Sequence, residues 1–141
     1  MQNLSPMNRV ISIGTDLHRF SRVENILKKN GPLISFKTKR FADRVLNPIH
    51  EKPLFQTYVQ NNDILKCSRL LSTSWCVKEA IYKTLDDVEQ ANFSMSHWYK
   101  ISDERGRPII GNNDSIVKDK FLCSISHDGD LITAFVLRIG Q

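Results

Sequence analysis

The sequence predicts an α+β fold in which helices pack on an antiparallel sheet. Three features carry that prediction. The C-terminal runs FLCSIS and LITAFVLRI are rich in β-branched and aromatic residues, and they flank HDGD, whose Asp-Gly pair suits a tight hairpin turn. A β-rich run, RVISIG, lies near the start of the chain and is closed by Gly14. Between them, residues 64 to 85 space their apolar side chains at the helical period.

Each element has its own local reason. After RVISIG, the segment TDLHRF places Asp16 just past the expected strand end, where a carboxylate is exposed and available. Ser21 and Glu24 have the S-x-x-E spacing of a capping box, which predicts a short helix ended by the NGP at 30–32. A second helix is expected over SFKTKRFADRVL and stops before Asn47, because a residue preceding proline is pushed out of the helical region. Phe41 and Val45 share one side of it, while Lys37, Arg40 and Arg44 form an outward cationic stripe. NPIHEKP reads as a loop, and Pro53 suits the first position of a helix through LFQTYVQ. Asn62 or Asp63 caps the long helix that follows. HWYKIS and RPIIG read as strands around the turn DERG, with a short helix expected near 113–120.

Size and charge bound the function. The 141 residues fit one domain, read here as residues 1–141, because no repeat, low-complexity tract or Gly/Ser linker divides them. Charged residues are 25% and hydrophobic residues 40%, the balance of a folded protein rather than a disordered or fibrous one. No apolar run approaches the ~20 residues of a membrane span and no secretory apolar stretch opens the chain, so a soluble intracellular protein without a membrane role is expected. The 3 cysteines, Cys67, Cys76 and Cys123, have neither CxxC nor Cys/His ligand spacing and read as reduced packing residues. A net charge of +5 favours an acidic partner: nucleic acid, an anionic membrane, an acidic protein or a phosphorylated small molecule. The exposed aromatic clusters of single-strand binders are missing, so no specific nucleic-acid partner is expected.

The segment SWCVKEAIYK sets the functional question. With Val77 at zero, Ala80, Ile81, Thr84 and Leu85 fall within ~80° and form a buried stripe, while Trp75, Glu79 and Lys83 lie near ~160°, ~200° and ~240°. Taken alone, Glu79 and Lys83 are an ordinary i,i+4 surface pair, worth roughly 0.3–0.5 kcal/mol. A tryptophan on that face, however, implies that something covers it.

In order, the chain contains GTDLHRFSR, KRFADRVL, KEAIYK, DERGRP and SISHDGD. This set resembles the holo-[acyl-carrier-protein] synthase family, the small 4′-phosphopantetheinyl transferases, over about residues 10 to 138. The family pattern is a G-x-D after the first strand, an R-F-A-x-R-x-L helix, a K-E-A-x-x-K helix and an S-x-S-H before the last hairpin. The resemblance implies transfer of the 4′-phosphopantetheine arm of coenzyme A to a serine of an apo acyl carrier protein, with release of 3′,5′-ADP, a step of fatty acid biosynthesis.

The resemblance also implies roles, which chemistry allows. Asp16 and Glu79 match the family's two metal carboxylates, and Mg2+ takes one or two protein carboxylates with phosphate oxygens and water. Glu79 is equally placed to accept the serine proton, directly or through water, because both roles need the same location. Lys83 and, less directly, Lys78 match phosphate-binding lysines for coenzyme A; His127 matches a histidine beside the substrate, and Gly106 and Pro108 a turn near the nucleotide. Arg22, Arg40 and Arg44 match positions that dock the acidic carrier helix, which arginine suits through bidentate pairing. The chain departs from bacterial relatives at Arg19, Ser74 and Asp86. Ser74 replaces an arginine, for which Arg69 or Lys66 is the candidate substitute. These departures look like fungal mitochondrial members, which implies a mitochondrial protein, with the cytoplasm as the alternative. A homotrimer with its active site between subunits is implied as well. The rival reading is a non-catalytic basic module that binds nucleic acid or an acidic protein.

Overall fold

The computed structural model describes residues 9–113 and 117–140. The architecture is the expected helix-on-antiparallel-sheet arrangement. Strand β1 (Arg9–Arg19) is followed by helices α1 (Phe20–Lys29), α2 (Phe36–Val45), α3 (Lys52–Gln60) and α4 (Ile64–Tyr82), and then by the short α5 (Asp87–Ala91). The hairpin of β2 (Trp98–Ser102) and β3 (Pro108–Asn112) comes next, and β4 (Lys120–Asp128) and β5 (Leu131–Gly140) complete the fold. The main sheet has the antiparallel order β1-β5-β4, and β2 and β3 form a separate two-stranded sheet.

The long helix organises the interior because it is buried on more than one side. Its stripe of Val77, Ala80 and Ile81 meets Ile132, Ala134 and Val136 of β5 in one core, which Trp98 and Phe121 extend. Cys67 and Leu71, nearer its N-terminus, join Val23, Leu27, Phe41, Val45 and Phe55 in a second core under α1, α2 and α3. Trp75 packs against this second core with its ring edge-on to Phe41, which is what covers the helix face on which it lies.

Several local expectations hold. Asp63 caps α4 by accepting from the Lys66 amide, and a proline stands in the first turn of α3; Ser35, read as the first residue of the second helix, instead caps α2 by accepting from the Thr38 amide. The β4–β5 turn places Gly129 at φ 56°, the left-handed region that glycine occupies without a Cβ clash. Burial pushes the thiols up, Cys67 and Cys123 to about 11 and Cys76 to about 12, and all three are free.

Others need correction. Strand β1 does not end at Gly14 but runs to Arg19, paired with β5 throughout from Ser12, so Asp16 sits inside a strand. Ser21 and Glu24 form no capping box: the Ser21 amide and hydroxyl both donate to the Asp130 carboxylate, at 2.9 and 2.5 Å. That long-range acceptor outcompetes the local one and ties the start of α1 to the last hairpin. The long helix ends at Tyr82, although Thr84 and Leu85 beyond it are buried as expected. The helix expected near 113–120 falls partly on 114–116, outside the described residues; Val117–Asp119 are not helical and Lys120 opens β4.

Candidate active site

Side chains alternate along a strand, so Ser12, Gly14, Asp16 and His18 all face the helical layer. Gly14 makes this approach close. A Cβ built there would lie 2.0 Å from the Ala80 carbonyl oxygen, so only glycine lets β1 lie this near α4. Ser12 Oγ donates to the Thr84 carbonyl at 2.6 Å and the Cys76 thiol donates to the Asp16 carbonyl at 3.4 Å, which fixes the register of strand against helix. Asp16 and His18 are thereby brought to Glu79.

The Glu79 and Lys83 side chains do not behave as a simple surface pair. Lys83 Nζ turns to β1 and donates to the Thr15 carbonyl at 2.8 Å and to Asp16 Oδ1 at 3.1 Å. Glu79 Oε1 instead accepts from Trp75 Nε1, while its Oε2 lies 3.7 Å from His18 Nε2. His18 Nε2 also approaches Asp16 Oδ2 to 2.6 Å, yet that oxygen is buried and receives no hydrogen bond. A buried carboxylate oxygen without a donor is costly in a dry environment unless a cation meets it. Two carboxylates with one bare oxygen fit a hard divalent cation.

A second recess holds other expected residues. His127 on β4 faces Phe20 at a ring separation of 6.4 Å and, with Gly106 and Pro108, lines a cavity of about 620 Å³. Arg69, Lys100 and Arg107 line it too, so its wall is cationic. Asp103 builds the turn above it: its Oδ1 accepts from the Arg105 and Arg107 amides at 2.9 and 2.8 Å, and Gly106 takes φ 78°. Of the two candidates to replace an arginine at Ser74, Arg69 reaches this cavity, its guanidinium 4.7 Å over the Phe20 ring, whereas Lys66 lies over Tyr58. None of Asp16, His18, Glu79 or Lys83 lines this cavity.

Lys78 is elsewhere. It is fully buried, and its ammonium bonds the Val45 carbonyl and Glu51 Oε1, each at 2.5 Å. Burial pushes its ammonium below the ordinary lysine value, and Glu51 opposes that shift. Ser74 Oγ and the Lys100 amide bond the other Glu51 oxygen, and the Asn47 amide bonds the first, which closes the network. The structure therefore brings Asp16, Glu79 and Lys83 together, groups His127, Gly106 and Pro108 in a second recess, and leaves Lys78 in the interior. Arg22, Arg40 and Arg44 are all exposed. Arg22 lies 5.3 Å over the Trp75 ring, which puts that arginine next to the acidic cluster.

With this geometry in hand, likeness to known proteins becomes specific. The profile of the 4′-phosphopantetheinyl transferase superfamily matches residues 12–136. The chain belongs to that superfamily. Among its relatives, a holo-[acyl-carrier-protein] synthase of Mycoplasma mobile is 32% identical over 89% of this chain and 87% of its own length. A mitochondrial holo-[acyl-carrier-protein] synthase of Eremothecium gossypii is 28% identical over 94% of this chain and 81% of its own. The solved structure of a Plasmodium yoelii acyl carrier protein synthase with ADP bound superposes with a TM-score of 0.76 at 27% identity, covering 96% and 99% of the two chains.

For this phosphopantetheinyl transferase superfamily member, two residues escaped the sequence reading. His18 was hidden because the strand was ended at Gly14; had β1 been carried on, the period of two would have set Asp16 and His18 on one face. Glu51 sits in NPIHEKP, read as a plain loop, and nothing in that segment signals that its carboxylate is buried.

Proposed function

We propose that this protein is a holo-[acyl-carrier-protein] synthase, moving the 4′-phosphopantetheine arm of coenzyme A to a serine of an apo acyl carrier protein and releasing 3′,5′-ADP. The observation that carries the reading is the pairing of Asp16 with Glu79 across Gly14, beside a lysine and next to an exposed arginine. The serine Oγ attacks the β-phosphorus of the diphosphate, the P–O bond to 3′,5′-ADP breaks, and the serine proton leaves to a base. Asp16 Oδ2 and the Glu79 carboxylate are the residues that would hold Mg2+, which when bound supplies neutralisation of the diphosphate charge.

The remaining roles belong to side chains of this chain. Glu79 is the group placed to take the serine proton, its carboxylate oriented by Trp75 Nε1. Lys83 is half-exposed, so its ammonium keeps a donor for a phosphate of coenzyme A while it bridges to Asp16. His127, Arg69 and the Gly106–Pro108 turn are assigned to the nucleotide end of coenzyme A. Arg22, Arg40 and Arg44 are assigned to the carrier protein, with Arg22 nearest the reacting serine.

The assembly we infer is a trimer in which one copy's carboxylate cluster faces another copy's His127 recess, because the two recesses are separate within one chain. The outer face of the main sheet supports it: Ile13 and Leu17 of β1 and Phe135 of β5 are 59%, 63% and 41% exposed, and Leu122 of β4 is 43% exposed. An uncovered apolar sheet face is what a second copy would bury. A mitochondrial setting is proposed on the likeness to the Eremothecium gossypii protein. Among the described residues no helix is long and apolar enough to cross a membrane.

The deciding experiment is mass spectrometry of an apo acyl carrier protein incubated with this protein, coenzyme A and Mg2+. The expected result is a carrier heavier by one phosphopantetheine group on its serine, with 3′,5′-ADP released in equal amount. An unmodified carrier under conditions where a control synthase modifies it would overturn the reading.

A further inference from the structure

We infer that His18 Nε2 is a third side-chain ligand of the cation held by Asp16 and Glu79, which makes the centre a mixed nitrogen–oxygen site selective for first-row transition ions over Mg2+. The inference rests on the reading of Asp16 and Glu79 as a divalent-cation site. It goes beyond that reading in the ligand and in the ion it selects.

Geometry carries the argument. One ligand atom from each of Asp16, His18 and Glu79 lies within 4.8 Å of the others. The His18 side chain is only 4% exposed, and Trp75 stands edge-on to it at 5.5 Å, so its ring is held where it points. Its Nε2 comes to 2.6 Å from Asp16 Oδ2, but Oδ2 receives no hydrogen bond and His18 Nδ1 has no partner either. A donor and acceptor at that distance normally share a proton along the line between them. Here the two atoms approach without the geometry of a hydrogen bond, and a cation held between them would widen the contact, since two ligand atoms at ~2.1 Å and a right angle from one ion stand ~3 Å apart. Lys83 has already taken Asp16 Oδ1, which leaves Oδ2 as the oxygen directed at that centre.

The chemistry of the donor set then selects the ion. Mg2+ takes oxygen ligands and gives up its water reluctantly, so an imidazole adds little to its affinity. Transition ions gain from a neutral imidazole nitrogen, and the gain grows along the series from Mn2+ to Cu2+ before falling back at Zn2+. The His18 imidazole is therefore a discriminating ligand, and Asp16 and Glu79 are common to every divalent ion.

The test uses the whole protein with 15N-labelled histidine, titrated with Mn2+ in the absence and presence of coenzyme A. Binding is read from loss of the free-ion EPR signal and ligation from pulsed EPR. We expect a histidine nitrogen coupling in the wild-type protein that is lost in His18→Gln. Mn2+ affinity in that variant should fall about tenfold or more, while Mg2+ affinity by competition changes less than about twofold. Mn2+ bound to the wild-type protein without a histidine coupling, or a coupling that survives in His18→Gln, overturns the role of His18 and leaves the two-carboxylate site standing. No Mn2+ binding, or binding indifferent to both Asp16→Asn and Glu79→Gln, overturns the cation reading and this inference with it. If His18→Gln does not fold, the labelled wild-type spectrum decides alone.

Discussion

Lys78 and Glu79 are adjacent in sequence and opposite in circumstance. The ammonium of Lys78 is enclosed and met on all sides by Glu51 and the Val45 carbonyl, while Glu51 is itself completed by Ser74 and two backbone amides. Around Glu79 the charges are left incomplete: Asp16 Oδ2 has no donor, Lys83 reaches in from solvent, and the Glu79 side chain is 37% exposed. A closed charge network in the interior fixes one packing of helices, whereas an open one holds unmet electrostatic demand for a ligand. Within KEAIYK, the first lysine is thus enclosed in the interior, and the glutamate and second lysine are the ones to which the proposed function assigns roles.

The contrast can be broken most severely at the open end. Asp16→Ala and Glu79→Ala should each lower the transfer rate by at least about 10²-fold, the scale seen when one preorganised electrostatic group is removed. Both variants should still fold, since neither side chain belongs to either hydrophobic core, although Asp16→Ala gives up the contacts to Lys83 and His18 and Glu79→Ala the bond from Trp75. Normal turnover in either folded variant would remove the distinction altogether. Lys78→Ala should do the reverse, costing roughly 3–5 kcal/mol of stability by leaving Glu51 buried and unpaired. Chemical denaturation measures this, and a loss under about 1 kcal/mol would show the network to be looser than its distances suggest.

Lys83 sharpens the comparison from within the open cluster. Lys83→Ala should raise KM for coenzyme A roughly tenfold or more while KM for the carrier stays nearly constant, the scale of one lost charge-assisted hydrogen bond. If the carrier KM moves instead, the lysine belongs to the docking surface. The smallest effect is expected at the periphery. Arg44→Glu should raise the carrier KM roughly two- to fivefold at low salt and less at high salt, as exposed pairs do. A carrier with a lysine at the facing acidic position should recover part of that loss.

Much of the fold was legible because local chemistry and tertiary structure agree. Asp63 and Pro53 each mark a helix start for reasons contained within one turn, and the last hairpin announces itself by alternation around a glycine. Reading failed where a distant group overrode a local one. Ser21 has the spacing of a capping box but finds Asp130, 109 residues away, and no local pattern reveals that partner. Lys78 was matched to a phosphate-binding lysine, and nothing local showed it to be buried, because only Glu51, itself unmarked in its loop, makes that burial tolerable. The two carboxylates of the cluster, Asp16 and Glu79, were legible from motif order. The third member, His18, was not, because TDLHR carries too little β-branched content to extend the strand through it.

Gly14 shows how a site can be specified by something other than its functional groups. The separation between the two carboxylates is set by how far β1 may sink towards Ala80, and that depth exists because one side chain has been left out. Gly14→Ala would place a methyl where the Ala80 carbonyl oxygen now stands and would wedge strand from helix, leaving both carboxylates chemically intact but out of reach of one another. The spacing acts as a gauge built into the backbone: a lineage could keep every acid, base and lysine of this centre and still lose its chemistry by gaining a single carbon atom in a position that touches no substrate.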